Sequence, residues 1–427
     1  MDRRALLSAT GALALASLTG CLAGDTNPIG NSDDISHSPN VNPEIPTEGL
    51  QALAYDNADF GLTLYRTLAA EDQNNLFLSP YSISVALAMT YAGARGTTAE
   101  EMADVLRFTD DEVHEAFASL HHELEAREET EDGDNAVDAF KLRIANALWG
   151  RKGESFSAEF LDHVADYYGG GLEEADFAAD PDGERERIND WVAQQTEDRI
   201  EDLLPPGSID PSTVLVLTNA IYFLASWESE FDPDDTHEGS FTTLAGEEET
   251  VSLMHQDIRT NYAKIGGAEA IELPYVGGEV SMVLVLPEDG TFESFDASFE
   301  VDVLFDLFSE LSDHTGSLVL PKFEIETEFA LSEVLKDLGM ETPFASDADF
   351  SGMFENGNAW IDDVYHDAFV TIDEEGTEAA AATAVTMMDS APPDWGELRF
   401  DRPFLFCIRD RPTNSVLFLG RVVDPST

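Results

Sequence analysis

Apolar residues mark out two kinds of rhythm along this chain. Leu53, Phe60, Leu64 and Leu68 recur on one face at helical spacing, which predicts an early helix. Ser79 followed by Pro80 predicts a second helix start, with serine as cap and proline at the first helical position. Thr98 with Glu101 fits a capping box for the next helix. Further on the rhythm changes. The runs 213–223 (TVLVLTNAIYF), 281–287 (SMVLVLP), 317–326 (SLVLPKFEIE), 404–410 (FLFCIRD) and 416–422 (VLFLGRV) are rich in β-branched and aromatic residues and predict strands. The first of these is apolar throughout, as suits a central strand. Helical and strand segments mix without a regular βαβ order, which predicts an α+β fold.

One segment fits neither rhythm cleanly. Glu374 to Pro392 reads EEGTEAAAATAVTMMDSAP. Only Glu378 is charged between Gly376 and Met388, so the segment must be buried or become buried. Alanine propensity favours a helix capped by Thr377. Alternation allows a strand instead. One face would carry Thr377, Ala379, Ala381, Thr383, Val385 and Met387, all small or apolar, and no proline interrupts the ladder.

Charge changes the setting more than the fold. The chain carries 86 acidic and 22 basic residues, a formal charge of −64. Self-repulsion on that scale opposes compaction, and salt relieves it, since the Debye length falls to about 3 Å at about 1 M. Work in concentrated salt, as in an extreme halophile, is the simplest expectation. Nucleic acid is excluded as a partner because no basic patch exists to meet phosphates. Hydrophobic residues make up 43% of the chain, ample for a core.

The N-terminus reads as targeting. Arg3 and Arg4 precede an uncharged stretch too short for a confident membrane span, and the tetrapeptide Leu18-Thr19-Gly20-Cys21 resembles a lipobox. Residues 1–20 are expected to be a Tat-type signal, and Cys21 the lipidated first residue of an exported, surface-anchored chain. Residues 21–49, rich in Asn, Ser, Pro and Asp, predict a flexible tether, and 50–427 a single folded domain. Cys407, inside PFLFCI, reads as a core residue.

Enzymatic signatures are missing. No nucleophile elbow, zinc helix or phosphate loop is present, and the acidic loop Glu131-Asp132-Gly133-Asp134 lacks the distal glutamate of an EF-hand. No catalytic residue, metal set or cofactor is expected.

Several segments together resemble the serpin family over nearly all of the domain. They are LFLSPYSISVALAMTYAGARGTTAEEMADVL, the run 188–231 into the central strand, ELPYVGGEVSMVLVLP, LPKFEIE, Leu338–Met340, Ala348–Met353, VYHDAFVTIDEEGTEAAAATAV, FDRPFLFCIRD and VLFLGRVVDP, in the family's order. The resemblance implies three β-sheets, about nine helices and an exposed reactive-centre loop, which turns the reading of 377–388 from helix to latent strand. It implies a monomeric inhibitor that forms a covalent acyl complex with a serine protease and then inserts its loop into the large sheet. The alternative is a non-inhibitory member acting as a surface binding or stabilising protein. By resemblance, the loop hinge comprises Glu374, Glu375, Gly376, Thr377, Glu378, Ala379, Ala380, Ala381 and Ala382. Ser79, Ser82, Asn219 and His366 resemble the polar cluster where the sheet opens, Trp227 the tryptophan at loop entry, and Lys322 with Glu374 an ion pair closing the sheet top. Seventeen residues counted from Glu374 end on Ser390, so the attacked bond would be Ser390–Ala391, with Met387 and Met388 as rivals. The absence of Arg and Lys in this loop points to a chymotrypsin- or subtilisin-like target.

Overall fold

The computed structural model describes residues 38–109, 112–128, 140–170, 172–355, 359–377 and 392–426. In chain order the elements are α1 (Thr47–Glu71), β1 (Leu76–Leu78), α2 (Pro80–Tyr91), α3 (Gly96–Leu106), α4 (Val113–Glu128), β2 (Phe140–Arg151), α5 (Ala158–Tyr168), β3 (Leu172–Ala175), α6 (Pro181–Gln195), β4 (Leu215–Ser226), β5 (His237–Thr242), β6 (Glu248–Ile265), β7 (Ala268–Pro274), β8 (Val280–Pro287), α7 (Phe292–Ala297), α8 (Val301–Glu310), β9 (Ser312–Pro321), β10 (Phe323–Ala330), α9 (Ser332–Asp337), β11 (Val364–Ile372), β12 (Gly376–Thr377), β13 (Asp394–Arg399), β14 (Phe404–Asp410) and β15 (Val416–Val422). Among the described residues these are nine α-helices and mixed sheets, the α+β class expected.

The strands fall into two hydrogen-bonded networks. One runs β10-β11-β4-β2-β3, with β12 on β4. The other runs β1-β15-β14-β8-β7-β6-β9-β13, with β5 on β6. Strand β6 joins two groups within the second network. Its residues 248–253 pair with β5 and 253–262 with β9, while 261–265 pair with β7. The three sheets that the family resemblance implies are therefore present as three strand groups, two of them sharing one long strand.

Strand β4 shows why its sequence is apolar without alternation. Leu215, Leu217, Ile221 and Phe223 face the main core, while Val216 and Ala220 join Trp149, Ile188 and Trp191 beneath α6. Both faces are covered, so both are apolar. Trp149 and Trp191 meet edge to face at 5.3 Å, a geometry aromatic pairs prefer. Helix α2 is buried from Pro80 to Thr90, between α1 and the sheets. Its start is as expected, with the Ser79 side chain accepting from Ser82 N–H at 3.1 Å.

Three local expectations are corrected. The run 317–326 is not one strand but two, β9 in one network and β10 in the other, and the chain crosses between them at Lys322. Thr98 and Glu101 do not form a capping box. Their oxygens serve another segment, Thr98 accepting from Asp349 N–H at 2.8 Å and Glu101 from the Thr342 N–H and hydroxyl at 2.6 and 2.7 Å. The tether does not extend to residue 49. Asn40 and Val41 donate backbone hydrogen bonds to Ala165 and Asp166, and α1 begins at Thr47. The expected signal and residues 21–37 of the tether, with Cys21, lie outside the described residues. No helix among the described residues is long and apolar enough to cross a membrane.

Candidate functional site

Strands β4 and β11 are neighbours and run parallel, paired from Val364↔Leu217 to Phe369↔Tyr222. There the pairing stops, although β11 continues to Ile372 and β4 to Ser226. A slot opens between them. The chain leaves β11, turns through Asp373, Glu374 and Glu375, and comes back into the slot as β12. Gly376 pairs with Ser226 and Thr377 with Ala225, antiparallel to β4. A strand placed between two parallel strands can run antiparallel to both, the slightly stronger pairing. The site is thus a slot already occupied at its mouth.

The turn is built tightly. Asp373 Oδ1 accepts from the backbone N–H of Glu375 at 2.9 Å and of Gly376 at 3.2 Å. Gly376 has φ 144°, and a Cβ there would lie 2.3 Å from the Ala225 carbonyl oxygen. Only glycine fits. Thr377 is 1% exposed and its hydroxyl shares a 2.9 Å hydrogen bond with the Tyr275 hydroxyl. Tyr275 stacks on Trp227 at 4.6 Å. Trp227 in turn holds the turn, Nε1–H donating to Asp373 O at 3.1 Å and its backbone N–H to Glu375 O at 3.0 Å.

Lys322 and Glu374 form an ion pair at 2.6 Å, with the Thr236 hydroxyl donating to the other carboxylate oxygen at 2.8 Å. Burial works to raise the Glu374 carboxyl, but the hydrogen bonds from Lys322 and Thr236 outweigh it and hold it below the usual carboxylate range. The lysine side chain is 38% exposed, so the pair is worth about 0–1 kcal/mol. Position matters more than strength here.

A second polar group lies about 20 Å down β4, six residues at strand rise. Asn146, Asn219 and His366 occupy directly opposed positions on β2, β4 and β11. Beneath them stand Ser79 and Ser82 at the start of α2. His366 Nε2 accepts from Ser79 N–H at 3.2 Å, which leaves the proton on Nδ1 to be donated to Asn219 Oδ1. The Asn219 amide donates to Ser82 Oγ at 2.5 Å and to Asn146 Oδ1. The Asn146 amide donates to Ser82 O at 3.1 Å, and Ser79 Oγ donates to Leu417 O at 2.6 Å. One network therefore ties three strands to a helix where β4 and β11 pair.

Burial pushes the His366 imidazole down to about 3, so it is neutral near pH 7. A folded-state value below the ordinary one gives stability that is complete above about 6.5 and declines as pH falls toward 3. His366→Ala leaves the Ser79 N–H and Asn219 Oδ1 buried without partners. The variant is expected to lose about 3 kcal/mol of unfolding free energy at pH 7.5, and the gap to wild type should narrow in acid. Denaturant melts at several pH values measure both.

Comparison with known proteins decides the family. The family model for Serpin (serine protease inhibitor) matches residues 55–425. The chain belongs to the serpin family. An uncharacterised serpin-like protein of Thermococcus kodakarensis is 37% identical over 99% of this chain and 99% of its own. A thermophilic serpin, tengpin, in its native state superposes with a TM-score of 0.78 at 29% identity, covering 92% of this chain and 98% of that one. Thyroxine-binding globulin in complex with thyroxine superposes with a TM-score of 0.76 at 30% identity, covering 88% and 99%.

In this serpin the structure brings the expected residues together in two places on one strand junction. Ser79, Ser82, Asn219 and His366 meet at one, and Trp227, Lys322, Glu374, Glu375, Gly376 and Thr377 at the other. Glu378, Ala379, Ala380, Ala381, Ala382, Met387, Met388, Ser390 and Ala391 lie outside the described residues. Asn146 and Tyr275 were not singled out from the sequence. Asn146, an amide within the otherwise apolar run 144–149, carried a signal. Tyr275 carried none, because its role depends on stacking on Trp227, distant in sequence and just beyond the end of β4. Cys407 is buried, and burial lifts its thiol to about 12, so it is no nucleophile.

Proposed function

We propose that this serpin inhibits a chymotrypsin- or subtilisin-like serine protease by suicide trapping. The observation that carries the reading is the pairing of Gly376 and Thr377 with β4 in a slot whose far wall is the parallel strand β11. The protease serine attacks the Ser390 carbonyl carbon, with Met387 and Met388 as rival positions. The Ser390–Ala391 amide breaks, Ala391 departs as a free amine, and the Ser390 acyl group stays esterified to the protease. Residues after Thr377 then extend β12 between β4 and β11, placing Ala379, Ala381, Thr383 and Val385 on the Thr377 side. Their small size lets the strand pass under the packed layer with little loss of side-chain entropy. Glu378 falls on the opposite face.

Mixing the full-length chain with subtilisin and with chymotrypsin should give a covalent complex that survives SDS, and mass spectrometry should place the cut within 387–391. Cleavage without a complex would overturn the reading. Its rival is a serpin that serves as a binding protein, which the likeness to ligand-bound thyroxine-binding globulin favours. We further propose export of the chain and lipid anchoring at Cys21, with the inhibitor displayed at the cell surface.

A further inference from the structure

The outer face of the slotted sheet carries a feature that the inhibitory reading does not use. Asp367 on β11 stands directly opposite Glu328 on β10, and Glu326 lies two residues along the same face. A carboxylate oxygen from each lies within 4.8 Å of the other two. Both glutamates are exposed, but Asp367 is 2% exposed. Its Oδ1 is buried without a hydrogen-bond partner. On its other flank, β4 offers Ala220, which gives no donor. None of the three has an ion-pair partner among the described residues.

A buried carboxylate oxygen with no donor is costly, and two more carboxylates beside it add repulsion. Burial first, then the charges of Glu326 and Glu328, push the Asp367 carboxyl up to about 7. A cation would remove the repulsion and fill the open coordination of Oδ1.

We propose that Glu326, Glu328 and Asp367 form a binding site for a hard divalent cation of the Ca²⁺ type, bridging β10 and β11. All the ligands are oxygens, which selects hard cations over Zn²⁺ or copper. Two exposed glutamates, with water completing the shell, suit Ca²⁺, which accepts irregular geometry where Mg²⁺ demands an octahedron. One ligand is on β11, a wall of the slot, so the ion would fasten that wall to its outer neighbour. The site stands whether or not the chain inhibits a protease.

The test uses the full-length chain at constant ionic strength. Ca²⁺ is expected to raise the melting temperature beyond what K⁺ does, and calorimetry should show a binding event that weakens at least about tenfold in Glu326→Gln/Glu328→Gln. Both glutamates are exposed, so this variant folds. Asp367→Asn should also lose the Ca²⁺ response. A control with equal charge loss at exposed positions, Glu247→Gln/Glu248→Gln, should keep it. An identical Ca²⁺ response in wild type and in Glu326→Gln/Glu328→Gln, or a response that K⁺ reproduces, would overturn the site.

Discussion

Nicking the loop between Glu374 and Pro392 is expected to raise the melting temperature by at least about 10 °C. Among the described residues, Gly376 and Thr377 occupy the slot between β4 and β11 before the cut, and the chain beyond leads on to β13. On the trapping reading, that connection opposes insertion of residues 378–390 until it is cut. Once it is cut, each inserted residue gains ladder bonds to both walls, worth about 1 kcal/mol net apiece. The small side chains on the Thr377 face leave water at the same time. Ordering the segment opposes this, so only part of the gross gain remains. Even about 5 kcal/mol net moves the melting temperature by roughly 10 °C at the 2–4 °C per kcal/mol usual for larger domains. Calorimetry before and after limited proteolysis measures the shift. Equal melting temperatures would show that the intact fold is already at its minimum, and trapping would then have no driving force.

Thr377→Arg is expected to abolish the SDS-resistant complex while leaving cleavage intact. Thr377 is buried against Tyr275, inside the stack that Trp227 completes. Burying a guanidinium there carries a penalty of several kcal/mol. Each 1.4 kcal/mol slows insertion about tenfold, so a penalty of about 4 kcal/mol slows it roughly a thousandfold. Water then cleaves the acyl bond first, and the protease leaves unharmed. The control is Glu375→Arg, at an exposed position two residues earlier, which should form complex like the wild type. The readout is the number of inhibitor molecules consumed per protease silenced. Complex formation at the wild-type ratio by Thr377→Arg would show that insertion does not proceed through this slot. A chain that acts by binding alone would be indifferent to either change.

Local chemistry was legible where a residue's partner is its own neighbour. Ser79 capping α2 is such a case, since the accepting oxygen and the donating N–H are three residues apart. Thr98 and Glu101 carried the same local signature and were misread, because Asp349 and Thr342, over 200 residues away, compete for the same oxygens and win. The runs 404–410 and 416–422 matched their strands to the residue, being bounded by polar turns. The break at Lys322 was hidden, because both flanks are strand and only the choice of sheet changes. Propensity favoured a helix for the alanine run, and the family resemblance reversed that preference. The observed β12 supports the strand only as far as Thr377. Asn146 stands out as an amide among apolar neighbours, but what it and Asp367 do could not be read from sequence, since each acts through the residue opposite it, and register is a property of pairs of strands.

The position of the last two strands sets the fate of the cut protein. β14 lies between β8 and β15, and β15 between β14 and β1, so the C-terminal peptide is woven into the middle of a sheet on the far side of the break. A severed molecule should therefore migrate as one particle on a native gel and fall into two pieces only in detergent. If the chain traps a protease as proposed, scission would rearrange it without shedding any part of it.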